Sequence, residues 1–350
     1  MRGAGLALLL AACGLVALPG AARGDRGHII IQSLRPDVNV SNAAQQAIIG
    51  WNGDEEVLIL STDLSAGDAA KVLEFIPLPS EPTKVEKAPP RAFYEVGRLI
   101  AQHAPRVPTH RGTMRGGGAS GEQGVAIVFH QQIETHDITI AKTEDLDAFV
   151  KWATDFVAAR GGALPGSGGF RPVVADYLER GYHYFVFDII DLGEQPRTVP
   201  PILYRFATDH LFFPLRASTL DRGMTRIQLF LFTPHWLDIP ATRTGLALAM
   251  YRSLGRVSPR AAGQGQPIKF TVTRSDLEAV AESLAELFEE WTEVKFCAAR
   301  FAGPLASLQR DLIIRASEQE LSTGKRQVPS LAPTRDRPAA PLVPGHTVQP

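Results

Sequence analysis

Residues 56–63 read Glu-Val-Leu-Ile-Leu-Ser-Thr-Asp, and the apolar positions follow one another instead of alternating. A strand of that kind offers no polar side to water, so both of its faces need cover. Just before it, Trp51-Asn52-Gly53-Asp54-Glu55 separates this run from a second β-rich stretch at 46–51. Asn-Gly adopts the backbone conformations of a tight hairpin, so the two runs are predicted to pair antiparallel. The chain must therefore build a sheet and bury it from both sides.

Further strands are predicted at 28–34 and 71–78. Pro77, Pro79 and Pro82 then end strand pairing, because proline lacks the amide donor a ladder requires. A helix over 93–102 stops before Pro105. Residues 106–124 hold six glycines and no periodicity, which suits a flexible linker or a long surface loop. A long β-rich run at 125–143, with a turn near His136-Asp137, leads into a helix over 144–160. There Leu146, Phe149, Val150, Ala153 and Val157 form one apolar stripe, Thr143 suits the N-cap, and Gly161-Gly162 ends the element.

A short helix at 173–180 precedes strands at 182–192, 202–206, 211–217 and 225–233. The strand-to-helix passage 138–146 has an echo at 270–277, either a duplicated unit or the same local grammar used twice. In the second copy Leu277, Val280, Ala281, Leu284, Leu287 and Phe288 make the buried stripe, and a strand follows at 293–301. No regular βαβ repeat is visible. The pattern predicts an α+β fold, predominantly antiparallel sheet with several covering helices. It divides into a leader (1–24), a β-rich N-terminal lobe (25–105), the Gly-rich segment (106–124), an α+β lobe (125–320) and a proline-rich disordered tail (321–350).

The leader has the order of an export signal: Arg2, an apolar or small run over 4–18, and small residues around Ala22 and Gly24. Its apolar core is shorter than a membrane-spanning helix. Cleavage before Asp25 gives a free mature chain, periplasmic or extracellular. Leu10-Ala11-Ala12-Cys13 also reads as a lipidation box, which would leave the chain anchored through Cys13. After cleavage at Asp25 only Cys297 remains, so no internal disulfide forms and the fold rests on core burial. Cys297 lies in an apolar strand-like run, as a buried structural thiol does.

The 36 Lys and Arg residues against 37 Asp and Glu give a formal net charge of −1. Nucleic acid is excluded as a partner, since phosphate backbones are held by a strongly basic field. No later stretch is long and apolar enough to form a transmembrane helix.

Site residues are less sharply marked. His130, His136 and His183 are the metal candidates. On an unbroken strand His130, Glu134 and His136 share a face, and His183 would arrive from a neighbouring strand. Asp188 and Asp191, with Glu194, form a candidate carboxylate group. Ser167 sits among glycines without the spacing of a nucleophile elbow. Neither a phosphate-binding loop nor HExxH occurs, and no cofactor is expected. Eleven aromatics between Tyr182 and Trp236 either line both sides of a central sheet or leave an apolar binding platform.

Several stretches carry a family likeness: residues 45–51, 55–60, 73–82 and 177–188, and the passage from Pro201 to Arg216. Together they resemble the bacterial exported family known as domain of unknown function 2330, over roughly residues 25–235. Many of its members open their mature region with a cysteine-containing Gly-rich segment, whereas this chain has Asp25-Arg26-Gly27-His28. The resemblance implies export and no particular activity. The expectation is a non-catalytic exported protein that binds or supports an envelope or extracellular partner; the alternative is an exported hydrolase, with a metal-dependent form through the three histidines.

Overall fold

The computed structural model describes residues 27–33, 40–66, 70–105, 127–164, 169–191, 199–221, 223–239, 244–251 and 265–317. Of these, 27–33, 40–44, 62–66, 70 and 127–131 are described as backbone alone. The expected leader, Gly-rich segment and tail lie outside the described residues, as do Cys13, Ser167 and Glu194.

The strands are β1 (Gly27–Ser33), β2 (Val40–Trp51), β3 (Glu55–Ala66), β4 (Ala70–Leu78), β5 (Pro82–Lys87), β6 (Ile127–Ile133), β7 (His136–Lys142), β8 (Tyr184–Asp191), β9 (Ile202–Ala207), β10 (Leu211–Phe213), β11 (Met224–Thr233), β12 (Ala247–Leu248), β13 (Lys269–Val272), β14 (Val294–Pro304) and β15 (Leu312–Ile314). The helices are α1 (Ala92–Gln102), α2 (Leu146–Ala158), α3 (Phe170–Glu179), α4 (Arg274–Val280) and α5 (Glu282–Leu287). One sheet has five strands in the order β1-β4-β8-β7-β6, and another has eight in the order β12-β14-β11-β2-β3-β9-β5 with β13 also beside β14. The β2–β11 pairing is parallel, and the other ladders among the described residues are antiparallel. The protein is thus α+β, mainly antiparallel sheet with a few helices.

Three buried cores stack these elements into four layers. Val57 and Ile59 of β3 face α1, α4 and α5, against Val96, Leu99, Leu277 and Leu284. Leu58 and Leu60 face the other way, onto Ile76, Ile138, Ile140 and Val186 of the five-stranded sheet. The far side of that sheet packs Phe75, Phe185 and Phe187 on Phe149 and Val157 of α2 and Phe170 and Val174 of α3. Val57, Leu58, Ile59 and Leu60 are thus covered on both faces of the strand, which accounts for the unbroken apolar run. The aromatic-rich region behaves likewise: Phe185, Phe187, Tyr204, Phe206, Phe212, Phe213, Phe230 and Phe232 are all buried, and Trp236 is exposed.

The β2–β3 hairpin forms at the expected turn, where the Asn52 side chain accepts from the amides of Asp54 and Glu55 at 2.9 Å. Gly50 lets the helices sit down on this hairpin, since a Cβ there would lie 2.5 Å from Cδ2 of Leu284.

Other elements depart from expectation for physical reasons. Pro77 lies inside β4, opposite Phe185, beyond Phe75, where the pairing with β1 ends among the described residues. Pro82 opens β5, an edge strand with no sequence signal of its own. The turn in the 125–143 run falls at Glu134-Thr135, two residues early, with Glu134 at φ 57°. Asp145 rather than Thr143 caps α2, accepting from the amides of Asp147 and Ala148. The stripe at 277–288 is broken into α4 and α5 by Ala281, which is extended at φ −163° and ψ 137°. Residues 214–217 leave the strand for a 3-10 turn over Leu215–Leu220.

β1 and β4 pair within the sheet that holds β6 to β8, and β2, β3 and β5 join β9 and β11 in the other.

Candidate functional site

The layer between the sheets contains a buried acid–histidine centre. Glu74 on β4 and Asp188 on β8 are direct cross-strand partners, and His136 opens the next strand, β7. Their exposures are 1%, 1% and 3%. Nδ1 of His136 lies 2.7 Å from Oδ2 of Asp188, and Nε2 lies 3.0 Å from the carbonyl oxygen of Pro200. A carbonyl only accepts, so Nε2 carries hydrogen, and one further proton is shared between Nδ1 and Asp188. Burial opposes charge on the ring, but Asp188, its hydrogen bond and Glu74 overcome this and raise the His136 pKa above its ordinary value. A histidine–carboxylate pair serves as a general base through its second nitrogen. Here that nitrogen is spent on the backbone of the segment entering β9, so the pair ties two strands and a loop together.

The register spreads the metal candidates along the ladder. His136 lies opposite Ile190, His130 opposite Thr139, and His183 just before the Lys142–Tyr184 pair at the far end. Six residue pairs separate the two ends, on the order of 20 Å. His183 Nδ1 lies 3.1 Å from the Thr143 carbonyl oxygen, and the side chain of His130 is outside the described residues. The turn at Glu134 breaks the face that His130, Glu134 and His136 were expected to share. No group of three or more His, Cys, Asp and Glu side chains among the described residues is arranged to hold a metal ion. Asp191 pairs with Lys71 at 3.5 Å near the surface, while Asp188 faces the inter-sheet layer. Cys297 is buried, and burial pushes its thiol up to about 11.

A second polar centre, without a signal in the sequence, joins the C-terminal strand to α3. Asp311 accepts from the Tyr177 hydroxyl at 2.9 Å and the Arg216 amide at 2.8 Å, and Arg180 pairs with it at 2.8 Å. Burial lifts the Asp311 carboxyl against the pull of Arg180. Beside it, Tyr182 and His210 Nε2 are 2.9 Å apart, and His210 Nδ1 meets the carboxylate of Asp209. Burial lowers the His210 pKa and raises the Tyr182 phenol to about 12. The neutral ring therefore accepts the Tyr182 proton in a hydrogen bond while the phenol stays protonated. Asp209 and His210 are adjacent in a turn and Tyr182 is 28 residues away, so no motif spacing could have exposed them.

At the surface, Trp236 is 45% exposed. The ammonium groups of Lys269 and Lys295 lie 5.1 and 5.8 Å from its ring centroid.

Residues 27–313 match the family described as an uncharacterized protein conserved in bacteria, DUF2330. The chain belongs to DUF2330. No curated protein matches it. Among solved structures, the crystal structure of baculovirus P35 is similar to this DUF2330 member at 8% identity and a TM-score of 0.41, covering 82% of this chain and 99% of that one. The 2.7 Å structure of a mutated baculovirus P35 after caspase cleavage gives 8% and 0.40, covering 78% and 99%. The caspase-8/P35 complex gives 7% and 0.37, covering 78% and 96%. At this level neither fold nor function transfers. No described helix is long and apolar enough to cross a membrane.

Proposed function

We propose that this DUF2330 member is exported and acts without catalysis, binding or supporting a component of the cell envelope or its surroundings. The observation that carries the non-catalytic reading is the His136–Asp188 pair, whose second ring nitrogen is committed to the Pro200 carbonyl inside the inter-sheet layer. The order of residues 1–24 supports export. Fractionation with N-terminal sequencing tests the address: the mature chain should begin at Asp25 and leave the cytoplasm. Cleavage before a lipidated Cys13 would indicate the anchored form, and an uncleaved cytoplasmic chain would overturn the proposal.

An exported hydrolase is the second reading, favoured by the order Tyr182–His210–Asp209, in which a hydroxyl faces a histidine oriented by a carboxylate. Turnover of ester or amide substrates that is lost in Tyr182→Phe would support it. A metal-dependent version through His130, His136 and His183 requires stoichiometric metal in elemental analysis of the purified protein.

A further inference from the structure

We propose that the surface at Trp236 binds an acidic polysaccharide, one sugar ring stacking on the indole while its carboxylate meets Lys269. The inference rests on the binding role proposed above and names the class of ligand.

Three observations carry it. Lys269 is paired in register with Cys297, whose side chain faces the inter-sheet core, and Lys295 is two residues earlier on the same strand. Both lysines therefore rise from one face of the eight-stranded sheet, and Trp236 lies across them. With 45% of Trp236 exposed, solvent reaches part of the ring beside the lysines. A large flat aromatic held in water by neighbouring cations is a rigid platform with little rotamer freedom left to lose on binding.

The two cations are not equivalent. Lys295 is neutralised by Glu293 and lies near the Thr271 hydroxyl. Lys269 has no carboxylate partner among the described residues. One free ammonium at the margin of one exposed aromatic ring matches a pyranose bearing a single carboxylate.

The surroundings argue against other anions. Glu293 sits beside Lys295 at the entrance to β14, so the local field is mixed. An anionic bilayer is held by clusters of four or more basic residues, a nucleic acid by a basic stripe, and acidic peptides by groups of arginines. A polymer of uronic acid sugars supplies spaced single charges and apolar ring faces, and fits the arrangement.

The test is calorimetric titration of the full mature chain with hexagalacturonate, its methyl-esterified form, a glutamate hexapeptide and phosphatidylglycerol vesicles. The acidic hexasaccharide should bind measurably and its neutral ester at least fivefold more weakly. Trp236→Ala should weaken the acidic sugar at least tenfold, and Trp236→Phe should restore part of the loss. Lys269→Gln should abolish the preference for acid over ester. Far-UV circular dichroism of each variant should match the parent, since neither side chain belongs to a buried core. Absence of saccharide binding, binding unchanged in Trp236→Ala, or equal binding of the peptide or vesicles would overturn the inference. A chain that is exported yet ignores the sugar refutes this surface alone, whereas retention in the cytoplasm refutes the exported role itself.

Discussion

Tyr177 and Asp311 are 134 residues apart in the chain and 2.9 Å apart in space, phenol to carboxylate. With Arg180 and the Arg216 amide, this contact anchors the segment that enters β15. Asp311→Ala would strand the Tyr177 hydroxyl and leave Arg180 without its buried partner. The expected loss is about 2–4 kcal/mol, less than for a fully enclosed ion pair because Arg180 retains access to water. Tyr177→Phe should cost only about 1 kcal/mol. Urea denaturation of the two variants and their double mutant checks both values, and additive losses would contradict a shared network.

His136 makes stability depend on pH in a defined direction. Its folded pKa lies above 6.5, so the contribution is complete below pH 6.5 and is lost as pH rises through the folded value. The unfolding free energy should fall above pH 6.5 with a slope approaching about 1.4 kcal/mol per pH unit. His136→Gln should lack this component, and an unchanged slope in that variant would assign it elsewhere.

Glu56 titrates over a different window. Its carboxyl is fully buried and accepts from the Phe212 amide at 2.7 Å, while Oε1 has no partner. Burial raises its pKa well above 4.5 against the pull of that bond, so the folded protein holds a neutral acid where the unfolded chain is ionised. Stability is fully retained below pH 4.5 and falls as pH rises toward the folded value. Glu56→Gln keeps the shape and the acceptor without the ionisation. It should match the parent near pH 4 and exceed it in melting temperature at pH 7.

Gly50 limits how closely the helical layer approaches β2. A methyl group there meets Leu284 at 2.5 Å, and Gly50→Ala should cost about 1–3 kcal/mol through overpacking. Combining it with Leu284→Ala should cost less than the sum of the two single changes, because one removes what the other strikes. Simple additivity in equilibrium unfolding would show that the helix is free to shift.

What could be read in advance follows from how local each feature is. The Asn52-Gly53 turn, the β3 run and the α2 stripe express their structure through neighbouring residues, and all three formed. The fold class followed from the same patterns. Ala281 shows the opposite case, since a strong helix former is extended where α4 packs on α1 and α5 on the β2–β3 hairpin. Propensity gives way there to burial on two surfaces. Asp188 was visible as an acid ending an aromatic strand, but its cross-strand partner Glu74 could be found only through the register. His210 had no local signal, because its environment comes from Tyr182, Phe212 and Arg315, far from it or from one another in the chain.

Gln46 on β2 and Gln228 on β11 are neighbours across a parallel ladder although 182 residues separate them. A nascent chain thus completes its first hairpin early and leaves one edge of β2 waiting until most of the polypeptide has been made. The five-stranded sheet has the same problem, since β4 needs β8. Loop closure over such spans must precede the contacts that stabilise it. Synthesis alone therefore cannot deliver a folded first half, and a truncated product ending after α1 should remain open to proteases and to chaperones that hold unfolded chains.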